Sequence, residues 1–203
     1  MKRFLTFLCC LFITVASFAQ SANQHLKFMG VPINGTITQF QSKLVAKGCS
    51  LNKEGSAYSP NGCRVFNGTL IGNKVIIYAF YNTQTKIVYR VKAVIDGVAE
   101  NIAEQHYQKL KNLLSQKYGS EYVREGTMND KESLSFVSLR SDYSGDDFSS
   151  YSKASDFCLG TVDIFITKDD KEWIRDPYNY NVHIDYNDAL NNEKNNSAML
   201  EDL

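Results

Sequence analysis

Histidine is scarce in this chain, with only three in 203 residues, at His25, His106 and His183, and no two of them lie close in sequence. A metal centre needs several imidazole, thiolate or carboxylate ligands converging on one point, so this scarcity argues against a resident metal. Tryptophan occurs once, at Trp173, and proline three times, so no proline-rich linker divides the chain. Also missing are a glycine-rich phosphate loop and the patterns Ser-x-x-Lys, Gly-x-Ser-x-Gly and His-Glu-x-x-His, which removes the commonest signatures of nucleotide, acyl-transfer and metalloprotease chemistry. Basic and acidic residues balance at 22 each, so nothing electrostatic suggests nucleic acid or an anionic membrane as a partner. The residues imply no cofactor.

What is present begins with a targeting signal. MKRFLTFLCCLFITVASFAQ places Lys2 and Arg3 ahead of an apolar run and closes on Ser17, Phe18 and Ala19. Small residues at Ser17 and Ala19 occupy the positions a signal peptidase reads, so residues 1–19 are expected to be a cleaved secretory signal. The apolar run is shorter than the roughly 20 residues a membrane span needs, and no integral segment is expected after cleavage. Losing Lys2 and Arg3 leaves acids in slight excess. Residues 20–203 are expected to form a single α+β domain, secreted or periplasmic, with a polar tail over 191–203.

An oxidising compartment favours cysteine pairing. Cys9 and Cys10 leave with the signal, and Cys49 with Cys63 would close a short loop between two predicted strands, a bridge that contributes about 3 kcal/mol by chain-entropy reasoning. Cys158 is left as a core thiol.

The segment from His25 to Ser50 is strongly punctuated. Pro32 and Asn34-Gly35 make an entry turn, and Thr36 with Gln39 three residues on has the form of a capping box. Ile37, Phe40, Leu44 and Val45 recur at helical spacing before Gly48 stops the helix. Strands are then predicted after Cys49, over Arg64 to Ile71 and Lys74 to Tyr81 around a Gly72-Asn73 turn, and over Ile87 to Ile95, where Arg90 and Lys92 mark one partly wet face. A helix over 100–118 follows, with Ile102, Ala103, His106, Tyr107, Leu110, Leu113 and Leu114 as its apolar stripe. Four further strands are predicted at Tyr122 to Thr127, Leu134 to Leu139, Thr161 to Thr167 and Val182 to Tyr186. The fold class is therefore α+β, an antiparallel sheet of two meanders of about four strands with two main helices on one face. Segments 23–119 and 120–190 are the candidate halves of an internal duplication.

The run HLKFMGVPINGTITQFQSKLVAKG, together with LLSQKYG and VHIDYND downstream, resembles small secreted proteins of gut Bacteroidota, which open on a similar apolar-Gly-Ile/Val-Pro-Ile-x-Gly-Thr turn and Phe-x3-Leu helix. The resemblance spans most of the chain and implies a secreted α+β protein. Its motifs are structural, and it carries no catalytic residue. A looser likeness, in layout alone, is to the beta-lactamase inhibitory protein.

Three arrangements could carry function. Cys158 as nucleophile, His183 as base and Asp185 as its orienting group would form a triad, since residues two apart on a strand share a face; a solvated polar face is the plainer reading. Oxygen ligands in SDYSGDD, Ser141 to Asp147, could hold calcium, but the spacing is not that of an EF-hand and a solvated loop is the plainer reading. Trp173, Tyr178 and Tyr180, in the polar connection KEWIRDPYNYN, are the aromatics placed to stack on a sugar ring or anchor a protein. The sequence thus points to a non-enzymatic binding protein for a protein or cell-envelope ligand, with a carbohydrate-binding accessory protein as the alternative.

Overall fold

In the computed structural model the described residues are 24–119, 123–128, 131–141, 143, 153–169 and 178–201. The expected signal at 1–19, Trp173 and most of the SDYSGDD segment lie outside them. The antiparallel α+β class holds.

The chain enters through a small hairpin, β1 (Lys27–Phe28) and β2 (Val31–Pro32), whose turn places both Met29 and Gly30 at positive φ. Helix α1 (Ile37–Ala46) then starts as the residues dictate. Thr36 N donates to Gln39 Oε1 at 2.9 Å, Gln39 N donates back to Thr36 Oγ1 at 3.4 Å, and two orphan donors of the first turn are satisfied at once. Ile37, Phe40 and Leu44 are buried, whereas Val45, expected on the same stripe, is half-exposed because the docked face is narrower than the apolar pattern.

Beyond β3 (Ser50–Leu51) and α2 (Lys53–Tyr58) come three long strands, β4 (Cys63–Leu70), β5 (Asn73–Tyr81) and β6 (Val88–Val98). The turn joining β4 to β5 is Ile71-Gly72, one residue before the predicted Gly72-Asn73. Both residues have positive φ, which a tight two-residue hairpin requires. The long helix α3 (Glu100–Tyr118) buries Ala103, Tyr107, Leu110 and Leu114, and leaves Ile102 and Leu113 at the solvent boundary. Strands β7 (Val123–Met128) and β8 (Lys131–Leu139), the short α4 (Ala154–Phe157), β9 (Cys158–Lys168) and β10 (Tyr180–Asp188) complete the sheet. Most of the expected polar tail is helical, forming α5 (Ala189–Glu201).

Eight strands form one antiparallel sheet in the order β3-β4-β5-β6-β10-β9-β8-β7. Strand pairing puts Phe66, Ile77, Ala93, Ile184, Ile164 and Leu134 in one row, and all six lie in the main hydrophobic core. Helices α1 and α3 and the entry hairpin cover this side, with Tyr107 and Phe28 among its largest buried rings.

The way α5 is held is not visible in hydropathy. Its apolar Met199 and Leu200 are exposed, while Asn191 is buried and its amide donates to the carbonyls of Ile33 and Val88, each at 2.9 Å. Asn195 accepts from Asn82 at 3.0 Å, and Glu193 accepts from the hydroxyl of Ser155 at 2.6 Å. This helix docks through amides and a carboxylate.

The predicted Cys49–Cys63 bridge is corrected. Cys49, Cys63 and Cys158 are all free thiols. Cys49 packs in the core against Gly68, whereas Cys63 opens β4 five residues earlier, about 17 Å along the strand and on the opposite face. Disulfide geometry cannot span that separation.

Candidate functional site

The alternate residues of the same strands form the sheet's second face. One row there runs Tyr78, Lys92, Asp185, Asp163, Ser135, Arg124; beside it runs Ile76, Val94, His183, Phe165, and on the other side Phe80, Arg90, Asn187, Thr161. These are the positions of the alternation turned away from the main core, and Val94, His183 and Asp185 among them are buried by their neighbours. The three rows carry three cations, two carboxylates, a histidine and three aromatic rings.

The side chains are tied together across strands. Arg90 Nε donates to Asp185 Oδ1 at 2.9 Å and its Nη2 donates to Oδ2, a two-pronged pair in which Asp185 is buried and Arg90 remains about two-fifths exposed. The same guanidinium lies over the Phe80 ring, 5.0 Å from its centre. One register step away, the rings of His183 and Phe165 stack at 4.6 Å, and the Lys92 ammonium sits 5.6 Å from the centre of the Phe165 ring. Asn187 donates to Asp163 Oδ2 at 3.0 Å. Among the described residues, Lys92 has no carboxylate within ion-pair distance.

This cover sets the electrostatics. Burial pushes the Lys92 amine below the ordinary lysine range, Arg90 adds to that, and Asp185 opposes it. Burial raises Asp163, with Ser135 and Asn187 partly restoring its charge. Hydrogen bonding to Asp185 holds Arg90 protonated against the cost of its burial. His183 is driven down to about 3, first by burial and then by the Lys92 charge, so it is a neutral imidazole throughout the physiological range. Its Nε2 shares a 2.6 Å hydrogen bond with Thr167 Oγ1, and its Nδ1 is buried without a partner.

A pH dependence follows. An unfolded histidine titrates near 6.5, so between about 6.5 and about 3 the unfolded chain binds a proton at this position that the folded chain refuses. Stability from His183 is fully present above that window and is lost as pH falls through it. Asp163, raised in the folded state, acts in the opposite sense and offsets part of the loss. Urea unfolding at about pH 7 and about pH 4.5 should show a smaller acid penalty in His183→Gln than in the parent, by about 1 kcal/mol or more. An unchanged penalty would place the acid sensitivity elsewhere.

The structure does not assemble the Cys158, His183, Asp185 triad. Cys158 is buried at the start of β9, seven residues from Phe165, the cross-strand neighbour of His183, which is about 23 Å along the strand and on the other face. Burial raises its thiol above the usual range, so it carries no thiolate at neutral pH. Nor does Asp185 orient His183: the carboxylate is engaged by Arg90 and the imidazole by Thr167. His183 and Asp185 do share a face as expected, but both are buried beneath longer neighbours.

Of the predicted aromatic contacts, Tyr178 is exposed, with 61% of its surface accessible. Tyr180 opens β10 and is partly buried against the core, its ring 6.0 Å from the Lys131 ammonium and 5.7 Å from that of Lys168. Sequence reasoning missed Phe80 and Phe165 as surface groups. Both stand at odd positions of their apolar alternations, which was the available signal.

At one end of this face is a cleft of about 440 Å³. Ile76 and Val94 lie side by side in its floor. Two residues further along the same strands are Lys74 and Asp96, and Asn67 and Thr69 line the β4 side. Among the described residues no group of three or more histidine, cysteine or carboxylate side chains converges to hold a metal, and no helix is long and apolar enough to cross a membrane. In comparison with known proteins, no family model, no curated protein and no solved structure matches the chain.

Proposed function

We propose that this chain is a secreted or periplasmic binding protein, without catalytic chemistry, that takes a protein partner on the second face of its sheet. The observation that supports the reading is the set Tyr78, Phe80, Arg90, Lys92 and Phe165, side chains that are partly exposed on a face where α1, α3 and the entry hairpin do not lie. Tyrosine, phenylalanine and arginine are among the residue types enriched at interfaces, where large rigid groups give up little entropy when they are covered. The placement of Arg90 over Phe80 and of Lys92 over Phe165 pre-orders both cations, which lowers the cost of binding further. The resemblance to secreted Bacteroidota proteins belongs to the same proposal.

The finer architecture is also read here as part of the proposal. The order β3-β4-β5-β6 followed by β10-β9-β8-β7 is consistent with two four-stranded meanders, over 23–119 and 120–190, each preceded by a helix and meeting at the β6–β10 pair. That layout is the one shared loosely with the beta-lactamase inhibitory protein.

The test is affinity capture from cell-envelope fractions with the parent protein and with Lys92→Glu/Phe165→Ser. A defined partner held by the parent and lost by the variant, with folding unchanged by circular dichroism, is the expected result. A partner held equally by both removes the face from the binding site. Glycan binding that disappears in Trp173→Ala would replace the reading with the carbohydrate-binding accessory protein.

A further inference from the structure

We infer that the cleft over Ile76 and Val94 is a binding site for a small zwitterion of the α-amino acid class, one with an aliphatic side chain. The inference goes beyond the proposed partner surface and does not depend on it.

The cleft volume of about 440 Å³ lies within the range that small-molecule sites occupy. Its chemistry is divided cleanly along the strands. Ile76 and Val94 are directly paired across β5 and β6 and form an aliphatic floor. The next residues on the same side of each strand are Lys74 and Asp96, so a cation and a carboxylate flank the end of that floor. Both line the cleft, yet no ion pair joins them, and among the described residues neither has another hydrogen-bonded or ion-paired partner, although the Asp96 charge is felt at the Tyr78 hydroxyl.

A ligand with one charge of each sign on a single carbon matches this arrangement. Its carboxylate would meet the Lys74 ammonium, its own ammonium would meet the Asp96 carboxylate, and its side chain would lie over Ile76 and Val94. A simple anion or cation would satisfy one flank and be repelled by the other. Asn67, whose Oδ1 already accepts from Asn52 at 3.2 Å, keeps its amide donors for the ligand carboxylate, and Thr69 adds a hydroxyl on the same side. An aromatic platform, which sugar rings favour, is absent from the residues lining the cleft.

The experiment is a heteronuclear NMR titration of the purified protein with L-leucine, with leucinamide and N-acetylleucine as probes that each lack one charge, and with cellobiose as a neutral polyol. Expected are saturable shifts at the amides of Ile76, Val94 and Asp96 with leucine, an affinity at least about tenfold weaker for both single-charge probes, and a similar loss in Lys74→Met and Asp96→Asn. Both substituted residues are exposed, so the variants should fold, and amide spectra retaining the parent dispersion will verify it. No saturable shift with leucine, binding of leucinamide or N-acetylleucine as tight as that of leucine, or a response to cellobiose in its place would each overturn the inference. Partner capture with Lys92→Glu/Phe165→Ser reads a different patch, so either proposal can fail while the other stands.

Discussion

Gly160→Ala is expected to lower the unfolding free energy by about 3 kcal/mol or more, enough to unfold a large fraction of an ordinary domain's stability margin. Gly160 lies in β9 opposite Asp188, at φ +148, where side chains are rarely accommodated. A Cβ on this residue would be driven into the carbonyl oxygen of Asn187 and would approach the Asn187 carbonyl carbon to 3.0 Å and the Ala189 nitrogen to 3.2 Å. All three are backbone atoms at the junction of β10 and α5. They cannot rotate away as a side chain would, so relief requires opening the β9–β10 pair where the last helix begins. Gly126→Ala is the matched control: on the exposed edge strand β7 its added methyl would meet only the Ser133 hydroxyl at 3.0 Å, a group free to turn. Urea midpoints should separate the two variants clearly, and an equal effect would mean that the β10 junction yields more easily than its backbone packing implies.

The second large effect is expected at Asp188, which is fully buried. Its carboxylate accepts from Leu26 N at 2.9 Å and from Asn191 N at 3.0 Å, and Nδ1 of His25 lies 3.0 Å away. One side chain thus caps α5 and pins the entry segment to the end of the sheet. Asp188→Ala leaves two buried backbone donors without acceptors, at a cost of about 3 kcal/mol. Asp188→Asn, which retains one acceptor oxygen, should cost less than half as much. Hydrogen exchange should quicken in the Ala variant both in α5 and around Leu26 and Ile33, since Asn191 loses its cap while holding Ile33. Faster exchange confined to α5 would show that the entry segment is held by its apolar packing alone.

These two residues mark how far sequence reasoning reaches. The capping box at Thr36 and Gln39, the apolar faces of α1 and α3, the alternation in β9 and the hairpin between β4 and β5 were all legible, because each depends on residues within a few positions of one another. The hairpin turn slipped by one residue because Gly72-Asn73 is the commoner signal, while the chain places Ile71 in the left-handed region and pairs Leu70 with Asn73. The Cys49–Cys63 bridge failed for a related reason. Separation in sequence suggested a closed loop, but the odd offset of five strand positions between Cys63 and Gly68, against which Cys49 packs, turns the two thiols to opposite faces. Segment 191–203 read as a tail because its polarity was weighed as exposure. Asn191 is instead buried by virtue of two carbonyl acceptors from distant strands.

On the functional face the division is the same. The sequence by itself determined that His183 and Asp185 share one side of β10 and that Arg90 and Lys92 share one side of β6, since strand periodicity alone requires it. Only the tertiary structure decided that β6 and β10 are neighbours, that Arg90 takes Asp185, that Phe165 stacks on His183, and that Lys74 and Asp96 flank one cleft. Local periodicity is a property of bond geometry and is written into each strand. Which strands pair, and in what register, depends on burying the apolar rows of the whole sheet at once, and that is a sum over residues far apart in the chain.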